Sequence, residues 1–360
     1  MVIMIAVGAL LIFLAIRYKM EPALLLPMGF GAILVNLPYT GVLTQGDEVG
    51  IITWLYENGI SNGEVFPLLL FIGIGAMIDF SPLLTNPKML FFGAAAQVGI
   101  FLTVILAVLM GFALKDAASI GIIGAADGPT SILVAVKLKS AYTAQIIIAA
   151  YSYMALVPII QPAAIKLVTT KAERAIVMPY TARKVSKTVK ILFPILVTVV
   201  AGLIAPGSVA LVGCLMFGNL LKECTVLDSL SETAQKVLAN LITLLLGLAI
   251  AAQMTAANIL ALDTLLILVL GLLAFTLDTM GGVLFAKLIN VFLPKGKKLN
   301  PMVGAAGISA FPMSARVVQK LGLEANPDNH LLMHAVGANV AGQIASVIAG
   351  GVVLALMLPV

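Results

Sequence analysis

The sequence predicts an all-α polytopic membrane protein, and three observations predict it. The chain of 360 residues is 61% hydrophobic and only 10% charged, where a soluble globular chain carries roughly 25% charged residues. Its mean hydropathy is +1.13. Its apolar residues fall into successive runs that meet or approach the ~20 residues a spanning helix needs. Counting them gives about ten or eleven membrane segments.

The runs follow in order. Val2–Ile16 has no basic n-region and no small-residue cleavage site, so it reads as a first span rather than a signal peptide. Ala23–Leu37, Phe66–Ile78, Met89–Leu114 and Ala144–Ile160 come next, then Ile191–Ile204, Val209–Leu221, Leu241–Ala251, Ile259–Leu277 and Leu331–Leu358. Two further apolar stretches, around Gly124 and Gly304, are interrupted by Gly and Pro.

The connections carry the charge. Lys166, Lys171, Arg174, Arg183, Lys184, Lys187 and Lys190 share one stretch, opposed only by Glu173. Excess Lys and Arg mark cytoplasmic loops, which places this loop in the cytoplasm. Lys295, Lys297 and Lys298 form a second basic cluster. The net charge of +5 is thus a topology signal, and no nucleic-acid partner is expected. The basic loop divides the chain into an N-terminal half (1–165), the loop itself (166–190) and a C-terminal half (191–360). Cys214 and Cys224 are too few for a disulfide framework. His330 and His334 stand four apart in HLLMH, without the pattern of a helical zinc site.

The two interrupted stretches echo each other. PTSILVAVKL begins at Pro129 and PMSARVVQKL at Pro312, and Pro, Ser, Val, Lys and Leu coincide at the same offsets. GAA precedes each, at Gly124 and at Gly304. Paired Gly/Pro-interrupted segments in two halves point to a binding site near the membrane midplane. Proline removes an amide donor and restricts the residue before it. Broken backbone at membrane depth survives only inside protein or along a polar cavity. Whether the copies are inverted is open at this stage.

Asp127 sits on the first break. An acid near a bilayer centre costs about 2.5–3.5 kcal/mol on insertion scales, so it marks a functional site or a buried cap. Carboxylate, hydroxyl and carbonyl oxygens suit hard cations, and Thr130 and Ser131 adjoin. The second break supplies Asn300 and Ser309 as neutral oxygen ligands, and Gly304 and Gly307 permit close backbone approach. Arg316 calls for an anion, either Asp127 or a substrate carboxylate, unless it snorkels to a headgroup. Tyr151 and Tyr153 are either aromatic-belt anchors or site residues. Asn339 and Gln343 are either helix–helix hydrogen-bonding groups or ligands. Asp79, Asp263 and Asp278 are expected near helix ends, in structural roles.

At these residues the chain resembles the membrane-embedded beta subunit of the sodium-translocating, biotin-dependent decarboxylases acting on oxaloacetate, methylmalonyl-CoA or glutaconyl-CoA. The resemblance rests on GIIGAADGPTSI (Gly121–Ile132), AAYSYMALVPIIQP (Ala149–Pro162), MFGNLLKECTVLDSLSETA (Met216–Ala234), NPMVGAAGISAFPMSARV (Asn300–Val317) and NHLLMHAVGANVAGQIASVIAGG (Asn329–Gly351). It implies a transporter-like fold of inverted repeats with broken helices and hairpins. It implies decarboxylation of carboxybiotin, outward Na+ transport and consumption of a proton. Asp127 matches the family's sodium-linked acid, Asn300, Gly304, Ser309 and Arg316 its other polar site residues, and Tyr153 its tyrosine. Asn339 is carried over as a further Na+ ligand.

The resemblance implies a carboxyltransferase subunit, a biotin carrier subunit and a small membrane-anchoring subunit as partners, in an oligomeric complex of the cell's inner (cytoplasmic) membrane. No Met-Lys-Met biotinylation tripeptide occurs in the chain, so biotin must come in trans. The expected mechanism has Na+ on Asp127, Asn300, Ser309 and nearby carbonyls, and the carboxylate of carboxybiotin at Arg316. A proton then replaces Na+ on Asp127 or at Tyr153. The rival is a stand-alone secondary transporter, a cation/proton exchanger or Na+-coupled carboxylate carrier, because a fold does not fix a function.

Overall fold

The computed structural model describes residues 1–19, 22–180, 184–294 and 296–358. Arg183 and Lys295, two of the residues read above as topology signals, lie outside the described residues. The predicted apolar runs fall on helices, and no β-strand occurs among the described residues.

In chain order the principal helices are α1 (Val2–Tyr18), α2 (Pro22–Asn36), α3 (Val65–Met77) and α4 (Pro87–Leu109). Next come α5 (Leu114–Gly121), α6 (Gly128–Lys137), α7 (Thr143–Val168), α8 (Lys187–Ile204) and α9 (Val209–Glu223). The chain ends with α10 (Asp228–Ala251), α11 (Leu262–Phe292), α12 (Met302–Ala305), α13 (Met313–Ala325) and α14 (Leu332–Met357). Six of these, α4, α7, α8, α10, α11 and α14, are long and apolar enough to cross a membrane. The helix Ile51–Ser61 and α3, bent by 65°, make a seventh if taken as one span. The helices α1 and α2 are shorter apolar ones. Helix α7 continues to Val168, and Lys187 already opens α8.

The two interrupted stretches form helical hairpins. Hairpin 1 is α5, a 3-10 turn over Ile122–Ala125, and α6. Asp116 near its start accepts hydrogen bonds from Ser140 Oγ (2.6 Å) and the Ala141 N–H (2.9 Å) just past its end. Entry and exit therefore share one face. Hairpin 2 is α12, an irregular tip and α13. Asn300 before it donates to the carbonyls of Arg174 (2.8 Å) and Ile176 (2.9 Å), and Asn329 after it donates to the same Arg174 carbonyl (3.0 Å). Its mouth opens on the face that carries the basic loop.

Helix α7 joins these faces, since it starts just after the mouth of hairpin 1 and ends where the basic loop begins. The hairpins thus enter from opposite sides. The echo shows the same inversion. Lys137 pairs with Glu64 (3.9 Å) at the mouth of hairpin 1, whereas its counterpart Lys320 lines a groove with Lys166 on the other face. Helix α11 also runs between the faces. Asp263 in its first turn accepts from the Tyr142 hydroxyl (3.1 Å), and Lys287 near its end donates to the Val168 carbonyl (3.1 Å).

Close backbone packing holds the hairpins in the bundle. Gly304 in α12 lies directly on Gly282 of α11, where a Cβ on Gly304 would come 2.0 Å from the Gly282 carbonyl oxygen. In an apolar solvent helix association depends on such close approach and on interhelical hydrogen bonds.

Candidate functional site at the hairpin tips

The two tips touch. Ser309 in the tip of hairpin 2 donates both its N–H (3.1 Å) and its hydroxyl (2.6 Å) to the carbonyl of Ala125 in the tip of hairpin 1. Ala126 follows in the left-handed region (φ 54°), which turns the chain from the 3-10 segment into α6. The peptide groups freed by the breaks thus find partners across the hairpins, as the interior of a membrane protein demands.

Asp127 is the N-cap of α6 and is buried. Its carboxylate accepts from the Thr130 hydroxyl (2.7 Å), the Thr130 N–H (3.4 Å) and the Ser346 hydroxyl (2.9 Å) of α14. Ser346 and Met154, whose sulfur accepts from the Gly128 N–H (3.3 Å), both lie midway along spanning helices. Asp127 therefore sits near mid-depth. It serves as a cap, yet all its partners are neutral, and none of the ion pairs among the described residues includes it.

Helix α14 lines the tips with one polar face. Asn339, Gln343 and Ser346 stand at helical spacing on it. Asn339 donates to the Ile308 carbonyl (2.7 Å), Gln343 to the Ser309 carbonyl, and Ser346 to Asp127. The Asn339 Oδ1 is buried without a partner, so it is free to serve as a ligand. Gln161 on α7 plays the matching part for hairpin 2, with Nε2 on the Ala305 carbonyl (2.9 Å) and the Ser314 hydroxyl (2.6 Å). The sequence reading missed Gln161 and Ser346. The signals were present: an amide between two prolines of an apolar run, and a hydroxyl in register with Asn339 and Gln343.

Several expected site residues stand elsewhere. Asn300 is at the mouth of hairpin 2, not its tip. Its amide is held by the loop carbonyls and its Oδ1 accepts from the Met302 N–H (3.1 Å). Gly304 lies against α11 as a packing contact. Tyr153 donates to the Leu268 carbonyl and lies on Gly271 of α11 beside Ile123 of the hairpin 1 turn, and it is not among the partners of Asp127. The tyrosine against the Asp127 break is Tyr151, whose ring covers Gly128 and whose hydroxyl is buried without a partner. Two residues apart on a helix, the two rings face in nearly opposite directions. Asp278 is not near a helix end, as expected, but fully buried in the middle of α11.

Arg316 does not reach Asp127. Ser314 turns inward to Gln161, so Arg316 two residues on faces outward and is exposed. It lines a groove of about 620 Å3 on the basic-loop face, with Lys19, Lys166 and Lys320 as further cations and Glu324 as an acid. Pro158, Ile159, Pro162 and Met313 add apolar walls. Beside this groove, residues 169–180 strap the mouth of hairpin 2. Glu173 caps the turn at Thr170 and pairs with Lys287 (3.0 Å). Partial burial raises the Glu173 carboxyl, but hydrogen bonds from Thr170 and Lys287 outweigh this and hold it below the usual carboxylate range.

The chain that forms these two opposed hairpins has relatives among known proteins. Residues 1–357 fit the family model described as the Na+-transporting oxaloacetate decarboxylase beta subunit. The chain belongs to this family. It is 49% identical over 355 residues to the methylmalonyl-CoA decarboxylase subunit beta of Veillonella parvula, covering 99% of this chain and 92% of that one. It is 48% identical over 355 residues to the glutaconyl-CoA decarboxylase subunit beta of Acidaminococcus fermentans, with the same coverage. The oxaloacetate decarboxylase beta chain of Klebsiella pneumoniae is 43% identical over 410 residues, covering 98% of this chain and 94% of that one. The chain is thus a multi-pass membrane subunit of the Na+-translocating decarboxylase type, which favours the subunit reading over a stand-alone carrier.

Proposed function

We propose that this beta subunit couples decarboxylation of carboxybiotin at its basic groove to outward movement of Na+ through the crossed hairpin tips. The observation that carries the reading is Asp127, a buried carboxylate near mid-depth with hydroxyl and N–H partners and, among the described residues, no ion pair. Such a group holds either a metal cation or a proton, and exchange between them is the elementary act of a pump. Asp127 is the acid, with the free Asn339 Oδ1 and tip carbonyls as neutral oxygens around it. Ser309 keeps the tips in contact, and Asn300 and Gly304 hold hairpin 2 in place.

The groove suits a carboxylated ligand presented from the cytoplasm. Among the described residues, four cations flank apolar walls and one acid, Glu324, opposes them. Arg316 would hold a carboxylate through its planar fork, and Lys19, Lys166 and Lys320 would draw it in. When bound there, carboxybiotin supplies the N-carboxylate whose breakdown to CO2 leaves the ring nitrogen to take up one proton. Biotin comes in trans on a carrier subunit, charged by a carboxyltransferase subunit, and a small subunit anchors the complex in the inner membrane. The basic-loop face is cytoplasmic by its charge. The chain divides at the basic loop into two repeat halves that each supply one hairpin. One charge moved against 100 mV costs about 2.3 kcal/mol, which decarboxylation must supply for each net charge.

The test is the assembled complex in sealed proteoliposomes. Substrate addition should drive Na+ across the membrane together with CO2 release, and Asp127→Asn should stop both. Decarboxylation that runs at full rate without Na+ would overturn the coupling.

A further inference from the structure

The two hairpins are closed at their mouths in different ways. Hairpin 1 is tied to itself, since Asp116 at its entry accepts from Ser140 Oγ and the Ala141 N–H at its exit. Hairpin 2 is tied to the strap. The side-chain amides of Asn300 at its entry (2.8 Å) and Asn329 at its exit (3.0 Å) both donate to one carbonyl, that of Arg174. A carbonyl oxygen has two lone pairs, so this one atom can hold both legs.

The strap is a fixed post. The Arg174 guanidinium donates to the Thr169 carbonyl (2.6 Å) and hydroxyl (3.0 Å), and Glu173 pairs with Lys287 of α11 (3.0 Å). The entry leg has a second hold, because Asn290 of α11 exchanges two hydrogen bonds with Leu299 (2.7 Å each). The exit leg is the turn between α13 and α14, where Gln319 accepts from the Leu332 N–H (2.6 Å) and Asn329 is fully buried. Asn329 Oδ1 is buried without a partner, so the amide is held by its donor end. An apolar residue would fill this turn and leave no acceptor unpaired. What Asn329 adds is the bond to the strap.

That bond holds α13, a helix about 20 Å long that joins the two places the pump must relate. Its first turn adjoins the tip, where Ser314 meets Gln161. Its outer face lines the groove with Arg316 and Lys320. A second cavity, of about 320 Å3, lies between α13 and the strap. It shares Lys166, Leu321 and Glu324 with the groove and has Lys171 and Arg174 in its wall. The residue whose carbonyl holds both legs therefore places its side chain beside the groove. Coupling between separated sites travels through rigid elements and hydrogen-bond networks. A helix transmits a displacement to its near end only when its far end is held.

We propose that Asn329 is a positioning residue of the pump, the pin that holds α13 to the strap so that Arg316 in the groove and Ser309 at the tip move as one. The proposal rests on the reading that carboxybiotin is bound at the groove and Na+ at the tips. Asn329 touches neither ligand. Its removal leaves the groove and the tip intact and frees the arm between them, so decarboxylation continues and Na+ movement no longer keeps step with it.

The experiment compares Asn329→Ala and Asn329→Leu with wild type. Alanine removes the amide, and leucine removes the donor at similar volume should the alanine variant fail to assemble. Each is assembled with its partner subunits and sealed into proteoliposomes, and Na+ uptake and CO2 release are read in the same vesicles at saturating Na+. The expected result is CO2 release close to wild type with the Na+ carried per CO2 lowered several-fold. A role in stability alone would lower the amount of complex and leave that ratio unchanged, which would overturn the proposal. Loss of CO2 release in the assembled variants, or failure of both variants to assemble, would overturn it too. Wild-type vesicles separate the two readings. If they move no Na+ with CO2 release, the functional reading fails and this one with it. If wild type and both variants are equally coupled, the inference about Asn329 alone fails.

Discussion

Ser309 gives two hydrogen bonds to one carbonyl, that of Ala125, and so joins two hairpins that enter from opposite sides. Ser309→Ala removes the hydroxyl bond and leaves the N–H bond. A typical hydrogen bond contributes about 0.5–1.5 kcal/mol net. The variant should therefore assemble, and it should need several-fold more Na+ for half-maximal turnover while its saturated rate changes less. A Na+ titration of decarboxylation checks this. An unmoved half-saturation point would separate the tip contact from cation binding.

Asp127→Asn should leave the hairpin in place and abolish Na+-stimulated turnover. Asn caps a helix about as well as Asp, and it can still accept from Thr130 and Ser346. The charge and the proton are what it loses. Assembly by size-exclusion chromatography and turnover with and without Na+ distinguish the two effects. Near wild-type pumping would remove Asp127 from the cation path.

Arg316→Lys should be nearly as damaging as Arg316→Ala. The groove already holds Lys19, Lys166 and Lys320, so one more ammonium adds little that is not there. What the guanidinium adds is the planar fork. Hydrogen bonds to charged groups contribute about 1.5–3 kcal/mol, or roughly ten- to a hundredfold in rate. Turnover of both variants at saturating Na+ decides the matter. A fully active lysine variant would mean that Arg316 supplies only charge or a surface anchor.

Gly304→Ala should act on stability before chemistry. Its methyl group would meet the Gly282 carbonyl oxygen at 2.0 Å with backbone on both sides. Overpacking of this kind costs about 1–3 kcal/mol. The variant should show a lowered thermal midpoint in detergent, and whatever fraction stays assembled should keep a near-normal Na+ requirement. A normal midpoint with a raised Na+ requirement would return Gly304 to the cation site.

The apolar runs, the basic loop and the GAADGPTS break were legible because each depends on composition or local backbone chemistry. Asp127 stood out because a charged residue within an apolar stretch is costly wherever it lies. Asp278 follows directly on the apolar run Ile259–Leu277, and that position suggested a helix end. Only the full length of α11 shows it to be central. Asn300 and Arg316 lay close in sequence to the tip and so were expected at it. The direction in which a side chain leaves a helix or loop carried one to the strap and the other to the groove.

The sequence by itself determined that this chain lives in a membrane, that it breaks twice in matching places, and that the breaks carry an acid and hydroxyls. Hydropathy, proline and glycine decide those features residue by residue. The tertiary structure decided which groups meet: Ser309 with Ala125, Ser346 with Asp127, and Asp278 with Gly124 of hairpin 1. These pairs are joined by hairpins entering from opposite faces, and no local rule relates residues so far apart. Their partners are set by the need to satisfy every buried polar group within the bundle, a condition of the whole fold.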